Sequence, residues 1–84
     1  MKHYFVEVFG SNDAMQIPKT AEFADREKAE LFAIESAKAS PIGIARLHSE
    51  QLVIDSDELG KWERWEETSD PTIEFDHTGV RYEI

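Results

Sequence analysis

The segment from Arg26 to Ala39 contains neither glycine nor proline, is built from good helix formers, and follows Asp25, a candidate N-cap. Elsewhere the chain repeats β-branched and aromatic residues with a period of two, between clusters of turn formers. One helix among several strands predicts an α+β fold: a single helix packed on an antiparallel sheet, in the order β-β-α-β-β-β, ending in a C-terminal β-hairpin. With 84 residues there is length for one core, so residues 1–84 are read as a single domain. Ala29, Phe32, Ala33, Ser36 and Ala37 share one helical face. Small side chains there let the helix sit close to a sheet, while Leu31 points roughly the other way. Ser40-Pro41 ends the helix, because the residue before a proline is driven out of the α region.

His3 to Phe9 reads as a strand that stops at the turn formers Gly10-Ser11-Asn12-Asp13. Met15, Ile17, Ala21 and Phe23 alternate with polar residues in a second strand that pairs back on the first, and Pro18 either puts it at a sheet edge or breaks it there. Gly43 to His48 and Leu52 to Asp55 read as two short strands joined through Ser49-Glu50-Gln51. Lys61 to Glu67 follows the turn Ser56 to Gly60. Leu59, Trp62 and Trp65 recur every three residues, as on a helix, but Gly60 inside that helix costs about 1 kcal/mol, which favours a strand. In the tail, Ile73-Glu74-Phe75 and Val80 to Ile84 flank a four-residue loop, Asp76 to Gly79. That loop predicts Phe75 opposite Val80, Ile73 opposite Tyr82 and Glu74 opposite Arg81.

Charge narrows the functional classes. Eighteen Asp and Glu against nine Lys and Arg give a net charge of −9, which repels phosphate backbones and anionic lipid and argues against direct binding of nucleic acid or membrane. The same field favours encounter with a basic protein surface, and nucleic-acid-binding proteins are a common source of such surfaces. No apolar run is long enough to span a bilayer, no secretory signal is visible, and there is no cysteine, so the expected location is the cytoplasm.

The acids are concentrated between residues 55 and 76, where Asp55, Asp57, Glu58, Glu63, Glu66, Glu67, Asp70, Glu74 and Asp76 stand against Lys61 and Arg64 alone. If the carboxylates project from one face they approximate the charge of a phosphate backbone, with Trp62 and Trp65 as rigid interface anchors. On that reading the partner-binding residues are Asp55, Asp57, Glu58, Trp62, Glu63, Trp65, Glu66, Glu67 and Asp70. The competing reading is a solvated acidic loop with both tryptophans in the core.

Asp55, Asp57, Gly60, Glu63 and Glu66 also fall at positions one, three, six, nine and twelve of a calcium loop, but Leu59 stands where an oxygen ligand is wanted and a strand precedes the loop. His3, His48 and His77 are too far apart in sequence to form a local metal motif. No serine sits in a nucleophile turn and no glycine-rich loop could cradle a phosphate. The expectation is a protein with no enzymatic activity and no cofactor.

The order of elements, with Thr20-Ala21-Glu22-Phe23-Ala24-Asp25-Arg26-Glu27-Lys28-Ala29 entering the helix, then two strands and Gly60-Lys61-Trp62, resembles certain small phage anti-CRISPR proteins. The resemblance covers roughly residues 3–67 and excludes the tail hairpin. It implies a non-enzymatic inhibitor that binds a host defence complex, acting in the bacterial cytoplasm, and the acidic surface suits those inhibitors that occupy nucleic-acid-binding sites. The leading expectation is therefore an acidic nucleic-acid mimic that inhibits by protein binding. The alternative is a structural or assembly subunit that self-associates, as a homo-oligomer, through the sheet edge near Pro18 or the C-terminal strand.

Overall fold

A computed structural model describes residues 2–10 and 19–84. It contains strands β1 (Lys2–Phe9) and β2 (Lys19–Phe23), helix α1 (Arg26–Lys38), and strands β3 (Ile44–Asp57), β4 (Gly60–Glu67), β5 (Ile73–Asp76) and β6 (Arg81–Glu83). All strand pairings are antiparallel, in the order β2-β1-β3-β5-β6, with β4 also paired to β3. The fold is α+β with one helix on the sheet, as the two periodicities predict. β2 lies at the sheet edge, while the expected start of that strand at Met15 to Pro18, like the turn residues Ser11 to Asp13, falls outside the described residues.

β3 organises the sheet and corrects one expectation, since Ser49-Glu50-Gln51 makes no turn. The two short strands predicted on either side are one strand of fourteen residues. Ile44 to Gln51 pairs with β1 along one edge; along the other, β5 takes Ile44 to Leu47 and β4 takes Glu50 to Asp57. Glu50 and Gln51 thus have neighbours on both sides, and the buried Ser49 hydroxyl meets Thr68 and Asp70. Two ladders outweigh the weak local turn tendency of three polar residues.

α1 packs over β1, β3 and β5. Asp25 caps it by accepting a hydrogen bond from the Glu27 N–H at 2.9 Å. Ala29, Ala33 and Ala37 are buried against Val6, Ala45, Leu47, Ile73 and Phe75, with Phe32 filling the margin against Phe23 and Leu31 exposed on the far side. The chain leaving α1 passes so close to the helix that a Cβ on Gly43 would lie 2.1 Å from the carbonyl oxygen of Ala37. Only glycine fits there without moving backbone.

The tail hairpin forms with a register one residue from that expected. Asp76 belongs to β5: its N–H donates to the Val80 carbonyl at 3.1 Å, and the loop shrinks to His77-Thr78-Gly79, with Gly79 at φ +86. Ile73 therefore faces Glu83, Glu74 faces Tyr82, and Phe75 faces Arg81. A slip of one residue exchanges the faces of a strand. Tyr82 is accordingly on the side away from α1, and Arg81 is on the helix side, 3.8 Å from Glu30.

The Asp76 carboxylate holds this loop. Hydrogen bonds from the Thr78 hydroxyl, the Val80 and Thr78 N–H groups and the Tyr82 hydroxyl lower its pKa to about 2, from an ordinary 3.8. A depressed carboxylate stabilises the fold above its unfolded pKa and loses that contribution as pH falls through the folded value. Asp76→Asn is expected to melt below the wild type at neutral pH, with the gap narrowing as pH drops from 3.8 towards 2. Melting curves across that range check it, and a gap independent of pH contradicts it.

Candidate functional site

β1 reaches only as far as Gln51, so the rest of β3 continues beyond the body of the sheet paired to β4 alone. At about 3.3 Å per residue, Leu52 to Asp57 carries this arm roughly 20 Å outward. Its tip is the turn Glu58-Leu59, where Asp57 accepts from the Leu59 N–H at 2.7 Å. Arg64 braces the arm by pairing with Asp55 on the opposite strand and, at 3.5 Å, with Glu66. The hydrogen bond with Asp55 raises the Arg64 pKa further. Leu52 and Val53 at its root are half-buried, and most of the remaining arm is open to solvent. Every residue of β4 is exposed, and Leu59 (95%), Ile54 (65%), Trp62 (46%) and Trp65 (39%) present large apolar surface. Neither tryptophan is in the core, which decides between the two readings of these rings.

Strand alternation divides the predicted binding residues between two sides. Asp55, Asp57, Trp62 and Glu66 lie on the side that continues the helix-bearing face, whereas Glu63, Trp65 and Glu67 lie on the other. Glu58 is at the tip. Asp70 stands apart at the base, paired with Lys2 and bonded to Ser49. Lys2, first by its hydrogen bond, holds the Asp70 carboxyl below the ordinary carboxylate range. The acids of the arm therefore form a rod charged on both sides, not a single plane. Asp55, Asp57 and Glu66 are separated from Glu63 by the hairpin, so the set read as a calcium loop does not converge. Among the described residues no group of three or more His, Asp and Glu could hold a metal ion.

At the base of the arm, on the side away from α1, the register brings together residues distant in sequence. His48 stacks on Phe5 with centroids 5.6 Å apart, Trp65 meets Phe5 edge-on at 5.8 Å, and His3 lies 4.9 Å from Trp65. His3 pairs with Glu22, and Arg46 lies over the Phe9 ring at 5.4 Å. This side carries Glu7, Glu22, Glu50, Glu63, Glu67, Glu74 and Asp76 against Arg46 and Lys61. Sequence reasoning missed this cluster. Its one local sign was that Phe5 and Phe9 fall out of phase with the core residues Tyr4, Val6 and Val8, leaving β1 aromatic on both faces.

A cavity of about 70 Å³ between Tyr4, Arg26, Ser49 and Asp70 has room for a few waters. No buried side-chain polar atom among the described residues lacks a partner. No helix among them is long and apolar enough to cross a membrane. No family model, curated protein or solved structure matches the chain.

Proposed function

We propose that this chain is a non-enzymatic, inhibitor-type binding module whose β3–β4 arm docks on a basic surface of another protein and displaces nucleic acid from it. The observation that carries the reading is the arm itself: it projects from the body, it is braced by few internal ion pairs, and exposed Ile54, Leu59, Trp62 and Trp65 alternate with its carboxylates. Asp55, Asp57, Glu58, Glu63, Glu66 and Glu67 supply about one carboxylate for every 4 Å of a rod of 3.3 Å rise per residue, the same order as the charge spacing of one nucleic-acid strand. Apolar tips between charges give the partner something to desolvate as well as something to attract. A nucleic-acid-binding complex of a bacterial host as the target is what the resemblance of Thr20 to Ala29 and Gly60-Lys61-Trp62 to anti-CRISPR proteins implies.

The test is competition. The labelled chain is titrated against purified basic nucleic-acid-binding proteins by fluorescence anisotropy, at rising salt and with duplex DNA added. The expected result is association that weakens steeply with salt and is mutually exclusive with DNA. A stable ternary complex with DNA, or affinity indifferent to salt, counts against the reading.

A further inference from the structure

The side of the sheet away from α1 has a feature the acidic rod does not require. Glu50 lies directly opposite Glu67 across the β3–β4 ladder. Like charges in that position destabilise a sheet. Glu50 has His48 beside it, at 3.5 Å, and His3 opposite it on β1, while the Glu67 side chain has no hydrogen bond or ion pair among the described residues. The next cross-strand pair on the same side is Leu52 with Trp65, whose ring leans on His3 and Phe5 and remains 39% exposed. Two opposed carboxylates thus sit beside a partly open indole, on a sheet face with a large excess of acid. In the free chain this arrangement costs stability, and a cation removes the cost.

We infer that this face takes an arginine side chain of the partner, its guanidinium lying on Trp65 and bridging Glu50 and Glu67. The inference rests on the docking reading above and adds which basic residue is recognised. Guanidinium fits better than ammonium for two reasons. Its plane stacks on an aromatic ring and its fork of N–H donors spans paired carboxylates, and it is more weakly hydrated, so less is lost on leaving water. The rigid backing of Phe5 and His48 holds the indole in place, which reduces the ordering cost of capture.

Calorimetric titration with oligoarginine and oligolysine of equal length tests it. The wild type is expected to bind oligoarginine about two- to fivefold more tightly, the range of an exposed cation–π contact. Trp65→Ala should bring the two affinities together, and Trp65→Phe should restore part of the difference. Equal affinities in the wild type, or a preference that survives Trp65→Ala, overturn the arginine inference and leave the acidic arm standing. If neither peptide binds, the inference and the docking reading fall together. Oligothymidylate is the remaining arm, because bases also stack on exposed sheet aromatics. Its exclusion is expected, and its binding overturns the inference.

Discussion

Phe75→Ala is expected to cost about 3–5 kcal/mol of folding stability, the range for removing a buried phenylalanine. In a domain of this size, total stability is roughly 4–13 kcal/mol by the usual value per residue, so this one change removes a large share. The reason is the make-up of the core. Among the described residues its eight buried hydrophobic side chains include four alanines, and Phe75 is the only aromatic of the eight. The alanines let α1 lie close to the sheet, and Phe75 occupies the space they leave from its place on β5, opposite Ala45. Its cross-strand neighbours are Ala45 on one side, too short to reach the hole, and Arg81 on the other, which could fill it only by burying a charge, while the helix above presents alanines. Urea unfolding should show a lower midpoint with an unchanged slope. A loss under about 1 kcal/mol contradicts this account of the core.

The helix was legible because its determinants are local. Asp25 as cap, alanines at a spacing of four and Ser40-Pro41 as a stop need no tertiary partner to be read. β3 was not legible as one strand, because what keeps Ser49-Glu50-Gln51 extended is the presence of β1 on one edge and β4 on the other. The tail hairpin failed by a single residue for a related reason. Its loop closes on hydrogen bonds to Asp76, so a residue that looks like loop in sequence is the last residue of a strand.

The site divides in the same way. Concentration of acid between residues 55 and 76 is a property of sequence, and its part from Asp55 to Glu67 is carried into the arm, while Asp70, Glu74 and Asp76 lie elsewhere. The distribution of that acid depended on whether Lys61 to Glu67 is strand or helix, since a spacing of three puts Trp62 and Trp65 on one side of a helix but on opposite sides of a strand. The ring cluster of His3, Phe5, His48 and Trp65 was beyond reach, because it requires the β1–β3 and β3–β4 registers together.

Changing Glu63, Glu66 and Glu67 together to lysine separates docking from folding more sharply than any single change. It shifts the net charge from −9 by six units to −3 and places positive charge on both sides of the arm facing a basic partner. Like-charge contacts across an interface cost several kcal/mol, so affinity for that partner should fall by at least about a hundredfold, equivalent to roughly 3 kcal/mol. The fold should not suffer in step. All three residues are exposed, and the only ion pair lost among the described residues is the surface contact of Arg64 with Glu66, worth about 0–1 kcal/mol. Against that, lysine at position 67 stands opposite Glu50 and turns a repulsive cross-strand pair into an attractive one, a gain of about 0.2–1 kcal/mol. A melting temperature equal to or above that of the wild type, together with lost binding, is an outcome that unfolding cannot imitate. Retained binding in the triple variant would mean that the partner is met by some other part of the molecule.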